Sequence, residues 1–247
     1  TRFVLTDGDG GTSAPATRTI NVIALGDAPA MTTTAGATSY TENQAATIVD
    51  SGLTVTDTDS ATLVGATAQI TGNYSSAQDV LSLPSPPAGI IASFDSGTGV
   101  LTLSGSASPA SYQTALRAVR YQNTSDVPST LARTVTFVVD DGTLLSAAVT
   151  KGITVAAAND APTIAALEAA ALAYAEGDPA TPITATGTVT DVDSANFSTG
   201  TLTIDYSAGG QAEDRLEIRN QGTGAGQIGV SAATITYAGT TIGTFTG

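Results

Sequence analysis

The stretch Phe137-Val138-Val139-Asp140-Asp141-Gly142 decides the reading of this chain, because it has a twin in Phe3-Val4-Leu5-Thr6-Asp7-Gly8, 134 residues earlier. Each is an apolar run that ends on a turn signal, the pattern of a strand entering a tight connection. Working outward, Ile20-Asn21-Val22 with Gly26-Asp27-Ala28-Pro29 matches Ile153-Thr154-Val155 with Asn159-Asp160-Ala161-Pro162, at an offset of 133. Tyr40-Thr41-Glu42 matches Tyr174-Ala175-Glu176, and Val55-Thr56-Asp57-Thr58-Asp59-Ser60 matches Val189-Thr190-Asp191-Val192-Asp193-Ser194, both at 134. Four blocks in step to within one residue mark an internal repeat.

The repeat sets the expected domains. Asp-Ala-Pro at 27–29 and 160–162 reads as a linker, since proline stiffens the crossing and ends the strand before it. Residues 30–160 then form one complete domain, 1–29 the C-terminal strands of a preceding one, and 161–247 the N-terminal part of a following one that lacks its closing strands. Thr1–Thr6 reads as an alternating strand and not as a signal peptide, so the chain is expected to begin inside a fold. Within the middle domain, strands are expected at Leu53–Thr56, Ala66–Ile70, Val80–Leu83, Ile90–Phe94, Val100–Leu103, Val135–Val139 and Val149–Val155. Ser108 and Pro109 open one short helix to Arg117, with Tyr112, Leu116 and Val119 on its core face. Ile164–Ala175 has helical composition, yet the repeat sets it opposite Met31–Thr41, a Thr-rich first strand. The repeat is followed, because context overrides a few tenths of a kcal/mol per residue. The fold class expected is all-β, as tandem immunoglobulin-like β-sandwich repeats.

Composition agrees. Among 247 residues there are 43 Thr and 26 Gly, and the 22 acids are 17 Asp and only five Glu, favouring turns over helices. Seven Arg and one Lys against those acids give a net charge of −14, which excludes a phosphate-neutralising surface for nucleic acid or anionic membrane. With no His and no Cys there is no Ser-His-Asp or Cys-His machinery, no ordinary zinc site and no disulfide. No apolar run reaches the length of a membrane span. A sugar cleft without Trp is a poor prospect for a glycosidase, so the chain reads as non-catalytic.

The repeat also preserves acids. A Glu follows the linker Asp by 15 or 16 residues (Glu42, Glu176), and an Asp-x-Asp pair follows by about 30 (Asp57 and Asp59, Asp191 and Asp193). In an extended triplet the outer carboxylates share a side, where they repel unless solvated or bridged by a cation. Calcium suits such a bridge, taking six to eight oxygens in loose geometry. Asp95 and Asp126 each read as turn residues, and Asp140-Asp141-Gly142 is equally a hairpin turn.

Phe137–Gly142, Ile153–Val155 and Asn159–Pro162 together resemble the end of a cadherin repeat and its linker. Leu116–Asp126 followed by Arg133–Phe137 resembles the cadherin-like variant of chondroitin sulfate proteoglycan repeats, also found in giant type I-secreted (RTX-type) bacterial adhesins. The resemblance implies calcium ligands at Glu42, Asn159, Asp160, Asp191 and Asp193 for one junction, with Asn123 and Asp126 at a suitable distance before the linker. For the preceding junction it implies Asp27, Asp57, Asp59 and Asp141. It further implies an extracellular calcium-rigidified stalk or adhesion repeat of a large secreted bacterial surface protein. Its partners would be calcium, neighbouring repeats, and surface or matrix molecules or like chains. The alternative is a structural subunit of an extracellular filament or sheath completed by neighbouring chains.

Overall fold

The computed structural model describes residues 1–23 and 25–246, which divide into two compact units, 1–159 and 160–247. The protein is mostly β, with one short helix and several sheets. The first unit holds β1 (Arg2–Phe3), β2 (Ala16–Thr17), β3 (Ala30–Thr32), β4 (Thr38–Thr41), β5 (Thr47–Ile48), β6 (Thr54–Thr56) and β7 (Leu63–Gly72). It continues with β8 (Asp79–Ser82), β9 (Ile91–Asp95), β10 (Val100–Ala107), α1 (Pro109–Arg117), β11 (Arg120–Asn123), β12 (Arg133–Asp140) and β13 (Val149–Ala156).

A six-stranded sheet runs β4-β13-β12-β7-β10-β9, antiparallel except for the parallel pair β13–β4. A three-stranded sheet, β5-β11-β8, and the pair β3-β6 contribute to the same hydrophobic core. Period-two alternation explains the packing: in β12, Arg133, Val135, Phe137 and Val139 point inward, and the residues between them are only partly covered. Leu81 from β8, Leu101 and Leu103 from β10, and Tyr112 and Leu116 from α1 meet them in that core.

The helix occupies the residues expected of it. Ser108 is extended and its hydroxyl accepts the Ser111 N–H at 3.1 Å, satisfying one of the free donors of the first turn. Tyr112 donates to Gly105 O at 2.6 Å, and Arg117 Nε donates to Leu53 O at 2.6 Å. Gly105 has φ +129°, and a Cβ there would sit 2.0 Å from Gly89 O, so the bulge at the end of β10 requires glycine.

Two expectations are corrected. Met31–Thr41 is not one strand: Gly36, at φ +77°, breaks it into β3 and β4, which pair with different partners, β6 and β13. Ile164–Ala175 is neither a full strand nor a helix, since only its first two residues fall in regular structure. β5 and β11 were not foreseen; each shows few apolar residues, and β11 (Arg-Tyr-Gln-Asn) turns only Tyr121 and Asn123 inward.

The second unit carries β14 (Thr163–Ala165) paired with β15 (Thr188–Thr190), and an antiparallel meander of β16 (Ile228–Ser231), β17 (Thr234–Tyr237) and β18 (Thr240–Thr244). Among the described residues, no helix is long and apolar enough to cross a membrane.

Candidate metal centre

The site begins at a buried charge network. Asp79, at the start of β8, lies in phase with Leu81 and so points into the core, where Arg133 of β12 meets it. Arg133 Nε donates to Asp79 Oδ2 at 3.0 Å, with both side chains fully buried. The Tyr121 hydroxyl and Asn123 Nδ2 donate to Asp79 Oδ1 at 2.6 and 2.7 Å, and the Ser75 N–H donates to Oδ2 at 2.8 Å. Burial alone would raise the Asp79 carboxyl, but these donors, Arg133 first, hold it below the usual carboxylate value. Burial, then the bond to Asp79, pushes the Tyr121 phenol up.

This network fixes the loop that follows β11. With its amide on Asp79, Asn123 accepts the Ser125 N–H on Oδ1 at 3.0 Å and the Tyr40 hydroxyl on its carbonyl at 2.8 Å. Tyr40 of β4 stacks edge-on against Tyr121, ring centres 5.2 Å apart. Two residues after Tyr40 comes Glu42, its N–H on Ala156 O at 2.9 Å and its Oε2 accepting the Ala158 N–H at 2.9 Å. Glu42 is only 3 % exposed, and its Oε1 has no hydrogen-bond partner.

Asp126, at the tip of the anchored loop, and Asp160, joined to Asn159 just past β13, come to the same place. One carboxylate oxygen from each of Glu42, Asp126 and Asp160 lies within 4.8 Å of the others. Three anions at that spacing, one of them buried, form a hard, oxygen-only donor set of the kind that holds a cation.

The other candidate residues fall into local arrangements. Asp27 donates its N–H to Asp59 Oδ2 at 3.0 Å and accepts the Thr58 hydroxyl at 3.2 Å. Asp57 Oδ1 accepts the N–H groups of Ser60 and Asp59 at 2.8 and 3.1 Å; these bonds, Ser60 first, lower its pKa. In the second unit the scheme recurs: Asp160 N–H donates to Asp193 Oδ2 at 3.1 Å, and Asp191 Oδ1 accepts from Ser194 and Asp193 at 2.9 and 3.2 Å. Asp141 Oδ1 takes the N–H groups of Thr143 and Leu144, so that carboxylate closes the β12–β13 turn. Asn159 is exposed. Asp95 accepts from Gly97 N–H and the Thr98 hydroxyl, both at 2.8 Å, the geometry of a turn residue.

The Asp79–Arg133 pair escaped the sequence reading. The available signal was that each charge sits in the apolar phase of its strand, Asp79 with Leu81 and Arg133 with Val135 and Phe137.

No family model matches the chain, and no solved structure matches it. It is 36 % identical over 103 residues to Halomucin of Haloquadratum walsbyi, a stretch that is 40 % of this chain and 1 % of Halomucin. The chain thus spans only a very small part of that relative's length.

Proposed function

We propose that this chain is a non-catalytic segment of a long extracellular surface protein, built of tandem immunoglobulin-like repeats that calcium stiffens into a stalk or adhesion array. The observation that carries the reading is Glu42, a nearly fully buried carboxylate with one oxygen lacking a donor, beside Asp126 and Asp160. A buried anion needs a counter-charge. The two neighbouring groups are themselves carboxylates and add negative charge to it, and a chain without His or Cys suits calcium better than a soft metal.

The resemblance to cadherin-like repeats adds Asn159, Asp191 and Asp193 to this ligand set, and gives Asp27, Asp57, Asp59 and Asp141 the same task at an earlier position. Asn123 acts through position, since its side chain is engaged with Asp79 and Ser125. The recurrence of the Asp27–Asp59–Asp57 scheme as Asp160–Asp193–Asp191 supports a tandem architecture. The partial match to Halomucin, of which 103 residues are about one hundredth, supports the great length of the parent protein. Partners on this reading are calcium, adjoining repeats, and surface or matrix molecules, with no role for nucleic acid.

The test is calorimetric titration of the chelator-treated chain with calcium. Saturable binding that Glu42→Gln weakens, and that magnesium does not reproduce, supports the proposal. Equal heats for both proteins overturn it.

A further inference from the structure

Glu42 and Asp126 sit on the two segments that carry the chain between the larger sheets of the first unit. Glu42 follows β4, an edge strand of the six-stranded sheet, on the way to β5 of the three-stranded sheet. Asp126 lies on the return, between β11 of the three-stranded sheet and β12 of the six-stranded one. Both segments are loops, and loops hold side chains less exactly than strands do unless something ties them. Mutual repulsion of carboxylates within 4.8 Å of one another would also drive these loops apart.

One side chain touches both. Tyr40 is buried, and its hydroxyl donates to Asn123 O at 2.8 Å, three residues before Asp126. The same hydroxyl reaches Gln44 O at 3.4 Å, two residues after Glu42. It has a single proton, so the shorter bond to Asn123 O is the principal one. The edge-on contact of its ring with Tyr121, itself bonded to Asp79, fixes where the hydroxyl can be. From Glu42 the tie continues, since Glu42 Oε2 accepts the Ala158 N–H two residues before Asp160. An unbroken path of bonds thus runs from the Asp126 loop through Tyr40 and Glu42 to the segment that ends on Asp160.

The repeat keeps the pairing. Tyr174 also stands two residues before a glutamate, Glu176, and its hydroxyl donates to Asp178 O, four residues on, as that of Tyr40 does to Gln44 O. The ring alone would pack against Tyr121 without the hydroxyl, so packing does not account for it. We infer that Tyr40 is a positioning residue of the cation site, its hydroxyl setting the distance between the Glu42 and Asp126 carboxylates. The role rests on the cation reading above and extends it to a residue that is not itself a ligand.

The test compares Tyr40→Phe with Tyr112→Phe in the full chain. Tyr112 is as deeply buried and also donates to a backbone carbonyl, Gly105 O at 2.6 Å, but its bond serves α1 and β10. Each variant removes one oxygen and keeps the ring, so a purely structural cost falls on both. Calorimetric titration with calcium after chelator treatment should show affinity about tenfold weaker in Tyr40→Phe, the scale of one buried hydrogen bond. Tyr112→Phe should bind like the unmodified chain. In chelator, amide hydrogen exchange of Ser125 and Ala158, whose N–H groups rest on Asn123 Oδ1 and Glu42 Oε2, should quicken in Tyr40→Phe alone. Unchanged affinity or unchanged exchange in Tyr40→Phe, or equal weakening in both variants, would overturn the positioning role while leaving the cation reading in place. Absence of calcium binding by the unmodified chain would overturn the cation reading and the role together; quickened exchange would then show Tyr40 to be a structural tie between the two loops.

Discussion

Arg133 Nε lies 3.0 Å from Asp79 Oδ2, and neither side chain is reached by solvent. The pair ties β12 to β8, one strand from each of the two larger sheets of the first unit. Removing one partner leaves an uncompensated charge in the core, whereas removing both leaves none. Arg133→Met should therefore destabilise the first unit by about 3–5 kcal/mol, and Arg133→Met with Asp79→Leu should recover much of that loss. Urea unfolding of the two variants checks the asymmetry. Equal losses would mean that the pair matters through packing.

The same carboxylate sets an acid limit. Its native pKa lies below the ordinary Asp value of 3.8, so its contribution is fully present above that value and is lost as pH falls through the lowered native one. Stability of the first unit should thus fall as the pH drops below about 4. Asp79→Asn, less stable at pH 7, should have a flatter profile in that range. Chemical denaturation between pH 2 and pH 7, about the span of carboxylate titration, provides the measurement.

Ser108 caps α1 through one bond to Ser111 N–H. Ser108→Ala should cost about 1 kcal/mol, and Ser108→Asp should restore most of it, since an anion at a helix start is also favoured by the helix dipole. Thermal melts of the three proteins decide this. No change in Ser108→Ala would show that packing of Tyr112 and Leu116 alone holds the helix.

Much of this fold is legible in the sequence where side-chain chemistry agrees with local pattern. α1 announces itself by Ser108-Pro109 and by its apolar face, and β12 by clean alternation. β11 does not, because its second inward residue is Asn123, and a buried Asn is tolerable only once Asp79 is known to receive it. The break between β3 and β4 lies in one backbone angle at Gly36, which composition does not encode. At the metal centre, Glu42 and Asp160 are marked by the repeat. Asp126, which alone reads as a turn residue, reaches the cluster because the Asp79 network anchors its loop. A network joining residues 79, 121, 123 and 133 is long-range, and no short motif carries it.

The central claim is that a cation, calcium first, compensates Glu42, Asp126 and Asp160. The most direct measurement is the melting temperature of the first unit's transition in the full chain, in calcium and in chelator, for the unmodified protein, Glu42→Gln and the turn control Asp95→Ala. Calcium at 100 times its dissociation constant should stabilise by about 2.7 kcal/mol, or roughly 5–10 °C for a unit of this size. Asp95→Ala should keep that rise. Glu42→Gln should lose most of it while melting no lower than the unmodified protein in chelator, because it removes an uncompensated buried charge. A rise of equal size in all three proteins, or in none, would contradict the account.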